Sequence, residues 1–212
     1  MSNNKSNLHF IDFKVVYHNL VAVKFEFLKC LVNLAAFHDV RREMGTRFFF
    51  HEIMSTIESI KVNVDIGRGV NILMAVCGED NNNAKQAFID KDGFLFLAKL
   101  STQCNETKYI DLDVCILVLD LCKRENDVVC MQVVESAVIG FLRKCAKNYV
   151  DGSCFMHNVS RLIHFIVTTK ANKDEFVKDG SLQVMEDVLG KYSDNPVVHG
   201  FTSAALNTMR ST

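Results

Sequence analysis

The sequence predicts an all-α chain built as a stack of about five related helical units. Pro196 is the one proline in 212 residues, whereas β-sandwiches and loop-rich α/β enzymes usually need more prolines in their turns. Hydrophobic residues make up 49% of the chain, which is enough for a sizeable core. The apolar pattern also returns about every 43 residues, a period typical of repeats of two or three helices.

Three sequence features keep that period. A small residue follows an apolar pair and an acid at Gly93, Ser136 and Gly180, in steps of 43 and 44. A longer apolar helix with a polar or small residue at its centre recurs in steps of 42, 45, 44 and 43; the predicted centres are Asn33, Ala75, Asp120, His164 and Asn207. A polar hinge is predicted after this helix, at Asn83, Asn126 and Asn172.

Each unit is predicted to contain three helices. Short first helices follow the hinge, at residues 84–90 and 173–178. Because glycine tolerates positive φ, the small residue lets the chain turn into a second helix; the second helices are predicted at residues 94–100, 137–144 and 182–189. Apolar residues at three- and four-residue steps predict the longer third helices, at residues 111–122, 156–168 and 197–209. Residues 1–7 form a polar tail, and residues 8–212 form one domain with units at about 8–45, 46–91, 92–134, 135–178 and 179–212.

On these boundaries and helix centres the sequence resembles the armadillo-repeat family, with HEAT repeats sharing the period. The markers are Gly93, Gly180, Asn33-Leu34-Ala35 and Leu206-Asn207. The resemblance implies a right-handed superhelix whose third helices line a concave groove that binds an extended peptide or a partner protein, and it implies no enzymatic chemistry or cofactor. The Trp and Asn array of nuclear import adaptors is not matched, since the chain has no Trp. The basic stripe of catenins is also not evident.

Charge and cysteine content narrow the class of protein. Lys plus Arg is 24 and Asp plus Glu is 25, so the basic surface of a nucleic-acid-binding protein is not expected. The longest apolar run, from Val114 to Leu119, is far shorter than the roughly 20 residues of a membrane span. The eight cysteines are interpreted as free thiols, and a polar start without an apolar leader segment makes the cytoplasm, or the nucleus, the expected compartment.

Counting three and four residues from the helix centres gives the candidate binding residues. Polar side chains at these positions suit hydrogen bonding to a peptide backbone, and a solvated helix face is the alternative. The partner-binding candidates are Lys29, Asn33, Arg68, Asn71, Asp113, Asp120, His157, Arg161, His164, Ser203 and Asn207.

Three other motifs favour structural roles. Cys154, His157, Arg161 and His164 share one helix face, but their spacing matches no established zinc site, even with Asp120 added, so no metal is expected. Gly67-Arg68-Gly69 lacks the third glycine of a dinucleotide fingerprint and is interpreted as the start of a helix. The run from Phe48 to Phe50 is expected to lie in the core, unless one ring faces outward as a binding hot spot.

The leading hypothesis is a non-catalytic scaffold or adaptor that holds a partner segment in the groove of a short solenoid. The second is a structural subunit of a larger cytoskeletal or ubiquitin-ligase assembly that binds through its convex face and ends. The third is an enzyme on an α/β fold, with Val114 to Leu119 as a buried strand, because a short apolar run alone does not separate strand from helix.

Overall fold

The computed structural model describes residues 21–60, 63–78, 81–104, 107–122, 133, 138–178 and 180–211. These residues form helices and the turns between them, with no strand among them. The helices are α1 (Val21–Leu34), α2 (His38–Met44), α3 (Arg47–Glu58), α4 (Asn63–Val76), α5 (Asn82–Ile89), α6 (Gly93–Gln103), α7 (Lys108–Cys122), α8 (Val138–Asn148), α9 (Ser153–Ile166), α10 (Lys170–Lys178), α11 (Ser181–Lys191) and α12 (Pro196–Arg210). The all-α prediction is therefore confirmed for the described chain.

The strand alternative for Val114 to Leu119 is wrong, because the whole segment lies within helix α7. Five of its six residues are buried, namely Val114, Cys115, Leu117, Val118 and Leu119. A helix that is apolar on most of its circumference lies between neighbours on several sides. That burial, and not a sheet, is the reason for the continuous apolar run.

Local capping chemistry sets several helix starts. Thr46 accepts a hydrogen bond from the amide of Phe49 at the start of α3. Asn195 accepts from the amides of Val197 and Val198 at the start of α12, directly before Pro196 at the first helical position. Asparagine and threonine caps satisfy the free amides of a first turn, and proline is tolerated there because it has no amide hydrogen to lose.

The long helices pack in chain order. Helix α1 contacts α4, α4 contacts α7, α7 contacts α9, and α9 contacts α12. A second layer follows the same order, with α6 on α8 and α8 on α11. Helices α3, α6, α8 and α11 also contact the long helix that follows each of them. The apolar core therefore lies between two layers in which each unit rests on its neighbour in the sequence.

The buried faces of three long helices superimpose with the repeat period. In α7 the buried residues include Ile110, Val114, Leu117, Val118 and Leu121. Residues 45 positions later are buried in α9, namely Phe155, Val159, Leu162, Ile163 and Ile166. Residues a further 43 positions on are buried in α12, namely Val198, Thr202, Ala205, Leu206 and Met209. This register places Leu119, and not Asp120, at the position equivalent to His164 and Asn207.

One of the two boundary glycines, Gly180, agrees with the sequence interpretation, and the other, Gly93, does not. Gly180 has a φ of 76°, as predicted for a glycine at a sharp turn, but the equivalent left-handed residue before α6 is Asp92, with a φ of 58°. Gly93 is the first residue of α6, and a Cβ there would lie 2.4 Å from the ring of Phe88. Close approach between α5 and α6, and not backbone freedom, is therefore the reason for a glycine at position 93.

The positions of two glycines and of one hinge asparagine also differ from the sequence prediction. The glycines 67 and 69 lie inside α4, which begins at Asn63, and a Cβ on Gly69 would lie 2.4 Å from Cγ1 of Ile57. The hinge role predicted for Asn83 belongs to Asn81, whose Nδ2 donates to the carbonyl of Val76 at 3.0 Å. In the same way, Nδ2 of Asn172 donates to the carbonyl of Ile166 at 2.8 Å. Asn126 lies outside the described residues.

The two described side chains of the aromatic run at the start of α3 point into the core. Phe50 is fully buried, and Phe49 is half-buried with its ring 5.8 Å from that of Phe50. The ring of Phe50 also lies 5.4 Å from that of Phe88 on α5. The side chain of Phe48 lies outside the described residues.

Candidate functional site

All eleven candidate residues lie on the five long helices that pack in a row. Two are on α1, two on α4, two on α7, three on α9 and two on α12. The exposed ones are Asn33, Asn71 and Asn207, and the others are half-buried. The row of long helices therefore presents a partly polar surface that spans every described unit.

The two cationic candidates on α1 and α4 have partners on their own helices. Lys29 pairs with Glu26 at 2.8 Å, and Arg68 pairs with Asp65 at 2.8 Å. Both pairs join residues three apart, where helix geometry brings side chains together. The positive charge at these two positions is therefore largely compensated before any ligand arrives.

Helix α7 contributes carboxyl groups in place of cations. Burial raises the pKa of Asp113 above its usual value, since the half-buried carboxylate loses hydration. Asp120 is half-buried one residue beyond Leu119. The charged candidate residues are therefore acidic on α7 and basic on α9.

Helix α9 brings three of the candidates together. His157, Arg161 and His164 follow one another at steps of four and three residues, so they lie on one face of the helix. The ring of Phe201, on α12, lies 5.6 Å from the ring of His157 and 6.0 Å from that of His164. The guanidinium carbon of Arg161 lies 5.9 Å from the ring centroids of both Phe165 and Phe201. We call His157, Arg161, His164, Phe165 and Phe201 the His–Arg cluster.

Three nitrogens of the His–Arg cluster have neither solvent contact nor a hydrogen-bond partner. They are Nδ1 of His157, Nε of Arg161 and Nδ1 of His164. A buried polar atom without a partner costs about 1–3 kcal/mol, so native proteins rarely leave three on one helix face. Stability alone does not explain this arrangement, whereas a ligand that supplies acceptor atoms would, provided that the three side chains turn on binding to expose these nitrogens.

The candidates on α12 do not extend this cluster by hydrogen bonding. Ser203 is half-buried and Asn207 is exposed, and among the described residues neither forms a side-chain hydrogen bond with α9. The contact from α12 is made instead by Phe201, and the sequence analysis identified neither Phe201 nor Phe165. An Arg and a Phe four residues apart on one helix indicate a cation–π contact, which is the sequence signal for Phe165.

Metal coordination is not supported by the described geometry. Within the described ranges, no three His, Cys, Asp or Glu side chains lie together as a possible ligand set. Cys154 is exposed at the start of α9. Arginine is always charged and does not ligate metals, so it would oppose a cation between the two histidines.

Comparison with known proteins gives a likeness of fold. No protein family and no curated protein matches the chain. Solved structures do match. The crystal structure of an engineered protein from the Northeast Structural Genomics Consortium aligns with a TM-score of 0.73 and 16% sequence identity. The alignment covers 93% of this chain and 79% of that protein. At this identity the match shows that the helical fold is shared and nothing about function.

None of the helices that the structure describes combines the length and the apolar character needed to cross a membrane.

Proposed function

We propose that the chain is a non-catalytic scaffold or adaptor of the cytoplasm that binds a segment of a partner protein. In this proposal the units form an armadillo-like right-handed superhelix, and the long helices α1, α4, α7, α9 and α12 line its groove. The packing of these helices in chain order supports the arrangement. The observation that carries the binding proposal is the His–Arg cluster, with three buried nitrogens that lack partners.

Hydrogen bonds between units support the same arrangement. Their donors and acceptors are about one repeat apart in sequence, as in Asn63 to Thr107, Tyr192 to Val150 and Thr202 to Ser160, which are 44, 42 and 42 residues apart. In a solenoid each repeat contacts its neighbours, so long-range contacts concentrate at one period. A chain folded around a single centre would also join residues several periods apart.

Photo-crosslinking tests which surface binds. A photoreactive amino acid is placed in the full chain at Asn71 or Asn207, which are exposed on long helices, and in matched variants at Lys147 or Gln183, which are exposed on second helices. We expect partner adducts several-fold more often from Asn71 and Asn207 in a lysate of the native cell. Adducts that arise mainly from Lys147 and Gln183 would contradict binding along the row of long helices.

A second candidate function has a specific observation in its favour. Large apolar side chains are exposed near the end of α1, with 38% of Val32, 44% of Leu34 and 64% of Phe37 accessible. An exposed apolar patch suits a structural subunit that docks to another chain of an assembly. Sedimentation of the chain and of Phe37→Ser at several concentrations tests this: association that the substitution abolishes supports the subunit, and a monomer in both cases opposes it.

A further inference from the structure

We propose that the partner segment is acidic and that Arg161, between His157 and His164, receives one of its carboxylates. This inference rests on the proposed function, because it names the chemistry of the segment bound along the long helices. It concerns the His–Arg cluster alone and assigns no role to the cations on α1 and α4, which already have acidic partners.

The state of Arg161 is the first step of the argument. No carboxylate of the described residues lies within ion-pair distance of its guanidinium, and its Nε has no hydrogen-bond partner. The group is instead 5.9 Å from the rings of Phe165 and Phe201. Aromatic faces hold an arginine in place, so less side-chain entropy is lost when the terminal Nη groups of the guanidinium bind a ligand.

The two histidines define what the ligand must supply. They lie one turn before and one turn after Arg161, and each has an Nδ1 without a partner. The guanidinium has only donors, and an imidazole has at least one N–H donor in either tautomer. A carboxylate has two acceptor oxygens in the plane that an arginine fork matches, so it satisfies the central residue with two parallel hydrogen bonds.

The surrounding charge favours the same ligand. Helices α9 and α12 together contain no Asp or Glu, although the chain has 25 acidic residues. Their other arginine, Arg210, is paired with Glu186 of α11. A basic segment would place like charge against Arg161, and neither α9 nor α12 has a carboxylate to offset it, whereas an acidic segment finds the complementary potential on these two helices.

Side-chain NMR of the full chain provides the test. The Nε–H signals of arginine and the ring signals of histidine are followed while N-acetylated, amidated tetraglutamate is added at constant ionic strength; tetraglutamine is the matched probe without charge. We expect saturable shifts of Arg161, His157 and His164 with tetraglutamate and binding at least tenfold weaker with tetraglutamine.

Substitutions separate this site from a general charge effect. Arg161→Gln should weaken tetraglutamate binding at least tenfold, Arg161→Lys should restore part of it, and Arg210→Gln should leave it unchanged because Arg210 already has a partner. Equal binding by tetraglutamine, or unchanged binding in Arg161→Gln, would overturn the proposal. Equal shifts with inorganic phosphate would show a site for any small anion. The same shifts on concentrating the protein alone would identify a second copy of the chain as the occupant. Either result would also overturn the proposal.

The two proposals fail in different ways. If crosslinks arise from Asn71 and Asn207 but tetraglutamate does not bind, the surface is used and its partner is not acidic. If tetraglutamate binds at Arg161 but crosslinks arise from Lys147 and Gln183, the cluster binds acids while the physiological partner uses another face.

Discussion

The hydroxyl of Tyr149 donates a hydrogen bond of 2.6 Å to Oδ2 of Asp111. Asp111 is fully buried in the first turn of α7, and Tyr149 directly follows α8, so the bond joins two successive units. Tyr192, 43 residues after Tyr149, directly follows α11 and donates to the carbonyl of Val150 at 2.7 Å. In each of two successive units, the tyrosine at this position therefore forms a hydrogen bond to the preceding unit.

Replacing Tyr149 should weaken the contact between these units. In Tyr149→Phe the ring keeps its packing on Phe155, 4.6 Å away, while the buried carboxyl of Asp111 loses a donor. We expect a loss of about 1–3 kcal/mol in the free energy of unfolding, measured by urea denaturation, because a buried acceptor is left short of a partner.

Tyr192→Phe is the matched control for this substitution. Its hydroxyl bonds to a neutral backbone carbonyl, so the expected loss is smaller, about 0.5–1.5 kcal/mol. A loss in Tyr149→Phe no larger than that in the control would contradict a special dependence of Asp111 on Tyr149.

Gly93 should not tolerate a methyl group. A Cβ at this position would lie 2.4 Å from the ring of the fully buried Phe88, so Gly93→Ala is expected to destabilise the fold by about 1–3 kcal/mol through overpacking. Gly190→Ala is the comparison, since no atom lies within 4 Å of its Cβ, and it should stabilise α11 by about 0.4–1 kcal/mol. Thermal unfolding of both variants measures the difference, and a shift of the same sign in both would refute the steric account.

Asp113 should make stability depend on pH. Burial raises its pKa in the folded protein above the usual value of 3.8, so folding is penalised above the folded pKa and the penalty fades as the pH falls through it. Asp113→Asn removes this penalty, and its melting temperature should exceed that of the parent chain at pH 7, with the difference shrinking toward pH 4. Asp187→Asn, at an exposed residue that accepts a hydrogen bond from Gln183, should show no such trend. A constant difference at every pH would exclude the charge of Asp113 as the cause.

The cysteines should react with iodoacetamide in two groups. Cys30 and Cys154 are exposed and should be alkylated in the native protein at pH 8. Burial raises the pKa of Cys77 to about 12, and burial with the nearby Asp111 raises that of Cys104 to about 11. The pKa of Cys145 is also raised, by burial and by its contact with Cys115. Because the thiolate is the reacting species, mass spectrometry should find these buried thiols modified only after unfolding; early labelling of Cys77 would show that the core opens locally.

The helices could largely be predicted from the sequence because an amphipathic or apolar pattern is a local signal. The predicted third helix at residues 156–168 corresponds to α9, and the second helix at 182–189 lies within α11. The exact position at which one repeat aligns with the next was harder to predict. Asp120 lies one residue after the position of α7 that is equivalent to His164 and Asn207, and the sequence does not show this because α7 is apolar on so many sides that its pattern does not mark one face.

The candidate site was predicted in part. The spacing of His157, Arg161 and His164 placed them on one helix face, which needs only the geometry of α9. Their contact with Phe201 depends on how α12 packs against α9, a relation between residues about one repeat apart that no local pattern contains. Among the described residues Arg161 has no acidic partner, and this is likewise a property of the packed surface.

By itself the sequence determined that this chain is helical, that its units recur about every 43 residues, and which face of most helices is apolar. Tertiary structure alone decided that Gly93 is needed for contact with Phe88, that Asp111 is bonded to Tyr149, and that three nitrogens of the His–Arg cluster are buried without partners. The physical reason is range: helix formation depends on residues within about two turns, whereas burial and hydrogen-bond satisfaction depend on whatever neighbour packing brings from the next unit.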